Sequence, residues 1–262
     1  MVTSSQFVFH IGLPKTATTS FQQHLFGGDQ LAPWRYLGVY QPRRREQTEF
    51  HRCLMRALGC PGAHFSTALE SFQQIARSLE PDGKYLISEE MICVDTKHAT
   101  WQEKFKRLGA LTCLWSPTIF LTVRRPAEAA FSLYVQMRNQ LRKSYPTFEH
   151  LVQYSNQVKI FDYQTSIQTL TNLFGQNSVE VVEFELIHRG RQAIDQWEDI
   201  LNVAIAFDRL PEENRKKQSA GLVQTNHEDL ANWARRYLSD GRSSVLKRGL
   251  RLAGRIAGSL KK

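Results

Sequence analysis

Four short apolar runs recur along this chain, separated by segments with helical spacing. They are Gln6–Ile11 (QFVFHI), Lys84–Glu89 (KYLISE), Thr118–Val123 (TIFLTV) and Ser178–Phe184 (SVEVVEF). Their length and bulky residues suit buried strands. Strands joined across helices of ten or more residues imply parallel crossovers, because an antiparallel pair can close with a short hairpin. The pattern predicts an α/β three-layer fold with a central, mainly parallel sheet.

The intervening segments support that reading. Ser20–Phe26 looks helical, closed by Gly27-Gly28. Phe65–Leu79 carries apolar residues at helical spacing and is ended by Pro81-Asp82-Gly83. Further helices are expected around Glu49–Leu58, at Trp101–Leu108, at Phe148–Tyr154, at Tyr163–Phe174 before Gly175, and at Arg191–Leu201. Pro126 suits the first turn of a helix reaching about Leu141. An additional strand is expected at Tyr36–Tyr40. No linker is evident before about residue 205, so residues 1–210 are expected to form one α/β domain. Residues 211–262 are expected to be a basic helical C-terminal extension, packed on that domain or trailing it.

Charge separates the two regions. The chain carries 34 Lys and Arg against 25 Asp and Glu, a net of +9. From Arg215 to Lys262 there are 12 basic and 3 acidic side chains, and residues 1–214 balance at 22 of each. The excess therefore belongs to the tail. Residues 242–262 hold seven basic residues and no acid among apolar positions, which suits an anionic membrane surface. A solvated terminal helix explains the same pattern equally well. Nucleic acid is disfavoured as a partner, because the tail lacks aromatics for base stacking.

No stretch approaches the roughly 20 apolar residues needed to span a bilayer. The N-terminus lacks the pattern of a secretory signal. The four cysteines, at 53, 60, 93 and 113, form no CxxC pair and read as buried thiols of a reducing compartment. The expectation is a cytoplasmic protein, peripheral on the inner membrane face if the tail binds there.

The first loop, Gly12-Leu13-Pro14-Lys15-Thr16-Ala17-Thr18-Thr19-Ser20, sits between strand and helix. Backbone amides at a helix N-terminus, together with its dipole, favour an anion. Lys15 adds an ammonium, and the hydroxyls of Thr16, Thr18, Thr19 and Ser20 can donate to phosphate oxygens. An ordinary Ser/Thr helix cap is the competing reading. Pro14 precedes Lys15 where a Walker A loop requires glycine, which disfavours an ATP-dependent P-loop phosphotransferase, and an obligatory magnesium ion is disfavoured because no acidic cluster of Walker B type follows a strand. Downstream, Arg124 follows a strand and Ser132 lies eight residues later, about two helical turns on, so both could reach one anion. A surface arginine and a helix-interior serine are the plain alternative.

The segments FVFHIGLPKTATTSFQQHLF and LTVRRPAEAAFSLY together resemble the nucleotide-binding signature of sulfotransferases that use 3′-phosphoadenosine 5′-phosphosulfate (PAPS). They are most similar to bacterial proteins related to carbohydrate sulfotransferases. SVEVVEFELIHRGRQAIDQWEDIL resembles a later strand and helix of that family, so the likeness runs from about Gln6 to about Asn202. The resemblance implies a P-loop-like phosphosulfate-binding loop formed by Pro14, Lys15, Thr16, Ala17, Thr18, Thr19 and Ser20. It also implies a 3′-phosphate site at Arg124 and Ser132, no metal, and 3′,5′-adenosine bisphosphate as product. Ala17 stands where the family usually has glycine, and a Cβ is accommodated there if φ is negative.

Sulfuryl transfer needs charge stabilisation at the leaving phosphate, a role that falls to Lys15, and a base for the acceptor. Glu89 and Glu90 end the third apolar run, and adjacent strand residues point to opposite faces. By analogy with carbohydrate-type relatives Glu90 is taken as the base, with Glu89 as its rival. His10 and His51 read as structural. A late basic loop including Arg215 and Lys217 occupies a place comparable to the family's 3′-phosphate cover. A solvated basic turn is the other reading of it. The acceptor is expected to be a saccharide, glycolipid or small molecule, a hydroxyl more readily than an amine. It would be met by residues from 29–62 and 136–148; Tyr134, Arg138, Arg142, Lys143 and Tyr145 are candidates. A non-catalytic membrane-surface protein is the alternative outside enzymes. The sequence leaves the oligomeric state open.

Overall fold

The computed structural model describes residues 5–26, 31–40, 47–141, 143–187 and 191–206. The expected C-terminal extension 211–262, its membrane-facing stretch 242–262 and the closing pair Gly27-Gly28 lie outside these residues.

Five strands form one parallel sheet: β1 (Gln6–His10), β2 (Trp34–Tyr36), β3 (Lys84–Ser88), β4 (Thr118–Val123) and β5 (Val179–Glu183). Their order is β2-β3-β1-β4-β5. The helices are α1 (Thr18–Ser20), α2 (Glu49–Gly59), α3 (Phe65–Arg77), α4 (Trp101–Leu111), α5 (Pro126–Leu141), α6 (Phe148–Tyr154), α7 (Tyr163–Phe174), α8 (Phe184–Ile187) and α9 (Gln192–Leu201). α1 runs on as a π-helical turn, Phe21–Phe26. Gly175 stops α7 with φ of 91°, a conformation that favours glycine.

Side chains alternate across β1 and fill both sides of the sheet. On one face Phe7 stacks on Trp115 at 4.2 Å and meets Phe50 of α2, which in turn packs on Phe72 of α3. On the other, His10 lies edge-on to Phe21, Phe26 and Trp197 of α9, and Trp197 packs on Phe120 at 3.9 Å. Two apolar layers around one sheet account for the near-continuous hydrophobic character of the strands.

The second strand is found earlier than Tyr36–Tyr40. After Tyr36 the chain bends at Gly38, where a Cβ would lie 2.5 Å from Ser88 N, although Leu37 N and Val39 N still donate to Leu86 O and Ser88 O at 2.8 and 3.4 Å. The thiols also differ from expectation: only Cys93 is buried, Cys53 and Cys60 are half-buried, and Cys113 is exposed.

Packing divides the chain into two compact units. One comprises residues up to Arg124 and resumes at Thr169; it holds the sheet. The described part of the other is Arg125–Gln168. Within it Phe131 of α5 lies edge-on to Phe148 of α6 at 5.3 Å, and the Tyr134 hydroxyl donates to Pro146 O.

His10 is fully buried, and its ring nitrogens bond the hydroxyls of Ser88 and Thr122 at 2.8 and 3.0 Å. Burial pulls its pKa from the ordinary 6.5 to about 3. The unfolded chain therefore takes up a proton at residue 10 below pH 6.5 that the folded protein refuses until about pH 3. Stability from this site is complete above pH 6.5 and falls as the pH drops, by up to about 1.4 kcal/mol per pH unit. Urea denaturation at pH 7, 6 and 5 should show this slope flattened in His10→Gln. Equal slopes in both proteins would rule it out.

Candidate active site

Open parallel sheets bind ligands at the C-terminal ends of strands, where the chain's winding reverses direction. Here β1 leads away toward β2 and β3, while β4, on its other side, leads toward β5. The reversal falls between β1 and β4, and the two candidate segments leave those two strands: the loop after His10 and Arg124 after Val123.

The loop is shaped by its own residues. Gly12, Lys15 and Ala17 take φ of 42°, 74° and 60°. Left-handed residues in a tight turn bring successive N–H groups into an anion-binding concavity. A Cβ on Gly12 would lie 2.5 Å from Thr18 Oγ1, so no side chain fits there. Ala17 is left-handed, so the condition under which its Cβ is accommodated without strain, a negative φ, is not met. That conformation explains why glycine suits this position, and the alanine carries a strain of about 1–2 kcal/mol.

The hydroxyls do not act alike. Thr16 is buried; its Oγ1 donates to Leu13 O at 2.7 Å and accepts from Leu13 N at 3.0 Å. It therefore braces the loop rather than offering a donor, a correction to its expected role. Pro14 is buried and has no N–H to give. Thr19 is half-buried and Ser20 buried. The buried Thr18 Oγ1 has no hydrogen-bond partner among the described residues. An orphaned buried hydroxyl is costly unless a ligand atom completes it.

The capping alternative fails on geometry. The N-cap is Ala17, which makes no side-chain cap bond, and Thr18, Thr19 and Ser20 lie inside the helical turn. Lys15, left-handed within the same loop, is half-buried. The residues present thus fit an anionic group of phosphate type at this loop.

Arg124 is half-buried, with its guanidinium 4.9 Å over the ring of Phe184, which begins α8 directly after β5. This cation–π contact fixes its direction at the sheet's C-terminal edge. Ser132 is half-buried on α5, six residues on from that helix's first residue, within the second unit. Arg215 and Lys217 fall outside the described residues. Tyr134 is nearly buried and bonded to Pro146 O, a packing role rather than an acceptor contact.

Glu89 and Glu90 are not both strand residues, so the pleat does not choose between them. β3 ends at Ser88, Glu89 caps a short 3-10 turn, and Glu90 begins that turn, Glu90–Cys93. Glu89 is 1% exposed. Its Oε1 accepts from Met91 N at 2.9 Å and its Oε2 contacts His51 Nε2 at 3.0 Å. Glu90 is half-exposed. Of the two carboxylates, that of Glu89 is built into the protein, while Glu90 is partly exposed.

Sequence reasoning passed over two neighbours of this turn. The Cys93 thiol donates toward Ile11 O at 3.4 Å and Gly12 O at 3.3 Å. Lys104, 1% exposed, donates to Met91 O at 2.8 Å and Val94 O at 2.6 Å. The signal was present for Lys104: it interrupts the apolar stripe Trp101, Phe105, Leu108, Leu111 of α4 at helical spacing.

No protein-family model matches the sequence, and no curated protein matches it. Among solved structures the chain is similar to a crystal structure of a sulfotransferase from Alicyclobacillus acidocaldarius. Identity is 15% and the TM-score 0.51, over 87% of this chain and 90% of that one. The likeness is one of fold: five parallel strands flanked by helices, as in sulfotransferases.

Proposed function

We propose that this protein transfers a sulfuryl group from PAPS to a hydroxyl of a carbohydrate or glycolipid acceptor. One observation carries the reading: a loop of left-handed residues at the reversal between β1 and β4, with the buried Thr18 hydroxyl lacking a partner among the described residues. When bound, the donor supplies a sulfuryl group activated by a phosphate leaving group.

The chain's own residues then have four tasks. Loop amides and Thr18 Oγ1 donate hydrogen bonds to the phosphosulfate oxygens. Lys15 neutralises the charge that grows on the bridging oxygen as the S–O bond breaks, and can supply it a proton. Arg124 holds the 3′-phosphate, its guanidinium pairing with phosphate oxygens. Glu90 accepts the proton of the acceptor hydroxyl as its oxygen bonds to sulfur, while Glu89, engaged by His51 and Met91, keeps the turn in place.

Isothermal calorimetry with 3′,5′-adenosine bisphosphate tests the reading. Saturable binding that persists in EDTA is expected. Absence of binding by the wild-type protein would overturn it.

A further inference from the structure

Lys104 lies on the helix α4, well away in sequence from both the loop and the glutamates. An ammonium that is 1% exposed is costly to bury unless its donors are met. Here Lys104 Nζ donates to two carbonyls, Met91 O and Val94 O, at the two ends of one short turn. Val94 N closes the same turn onto Met91 O at 3.3 Å. A methionine would fill the apolar stripe equally well, so packing alone does not call for a lysine at this place.

The turn it closes is connected on both sides to the candidate site. At its start Glu89, anchored by His51, accepts from Met91 N, and Glu90 lies between them in the chain. Toward its end Cys93 reaches the carbonyls of Ile11 and Gly12, where the anion-binding loop begins. Burial raises the Cys93 thiol far above its ordinary range, so it stays protonated as a donor. Burial also lowers the Lys104 pKa, against which Asp95 and Glu89 act to retain its charge.

We infer that Lys104 is a positioning residue that holds the 90–94 turn, and through it both Glu90 and the mouth of the 12–20 loop. This rests on the proposed sulfuryl transfer for its catalytic meaning, and on geometry alone for the bracket itself. Lys104 touches neither donor nor acceptor. It acts by keeping the base and the anion loop in one frame, where a displacement of about 1 Å costs up to 10²-fold in rate.

Lys104→Met, with amide hydrogen exchange and steady-state kinetics, tests the inference. Exchange is expected to rise at least tenfold at residues 90–94 and 11–16, with other strands unchanged. The kcat should fall by about 10- to 100-fold while the acceptor KM stays within about twofold. A uniform rise in exchange would reveal a purely structural lysine, and unchanged exchange in these segments would remove the bracket; either overturns the inference. If Lys104→Met does not fold, Cys93→Ala decides. It cuts only the link to the loop, so exchange should rise at 11–16 and not at 90–94; no rise at 11–16 overturns it. Nucleotide calorimetry on the wild-type protein separates the two claims. Failure there removes the sulfuryl-transfer reading, while the exchange data still decide whether Lys104 holds the turn.

Discussion

Lys15→Ala is expected to lower sulfuryl transfer by about 10³-fold, at the upper end of the loss seen when one transition-state donor is removed. The argument is electrostatic. Charge builds on the bridging oxygen only as the sulfuryl group departs, so an ammonium beside it stabilises the transition state more than the ground state. Lys15 sits with φ of 74° in a loop whose amides are proposed to bind the same anion. Nucleotide binding should therefore weaken far less than kcat. Alanine retains the Cβ and the same backbone conformation, so the thermal midpoint should hardly move. Labelled-sulfate transfer, calorimetry and a melt on the same preparation check all three. Equal losses in kcat and nucleotide affinity would reassign Lys15 to ground-state binding.

Glu90→Gln should cost about 10²- to 10⁴-fold in kcat, the usual range for a positioned general base, with the melt unchanged. Glu89→Gln should behave in the opposite way. It disturbs a buried contact with His51 that is 3.0 Å long, at a cost of about 1–3 kcal/mol in stability, and affects rate only through the turn. The contrast follows from burial: Glu89 is 1% exposed and bonded at both oxygens, whereas Glu90 is half-exposed. A pair of melts and a pair of kcat values suffices. Loss of rate without loss of stability in Glu89→Gln, with Glu90→Gln active, would make Glu89 the base.

The elements were legible because their signals are local. Thr118–Val123 is a strand with the bounds its apolar run suggests, and α5 opens at Pro126 as a first-turn proline predicts. α6 and α7 also keep their expected limits. At 36–40 the strand ended early at a bend on Gly38, whose close approach to Ser88 N is a long-range contact that apolar patterning does not record. The candidate site was legible as residue types, a lysine among threonines and a pair of glutamates, but not as roles. Thr16 and Thr18 look equivalent in the sequence. One is bound to Leu13, and the other is buried without a partner among the described residues.

The sequence by itself determined the parallel α/β class, the strand–loop–helix that carries Lys15, and the surplus charge of residues 215–262. These follow from periodicity, turn chemistry and counting, all of which act over a few residues. Only the tertiary structure decided that β1 lies beside β4, that Ala17 is left-handed, that Glu89 is held by a histidine 38 residues away, and that a lysine of α4 closes the turn bearing Glu90. The physical reason is the same in each case. A buried polar group takes whichever partner the packed core brings within hydrogen-bonding distance, and that partner is set by how helices and sheet meet, not by spacing along the chain.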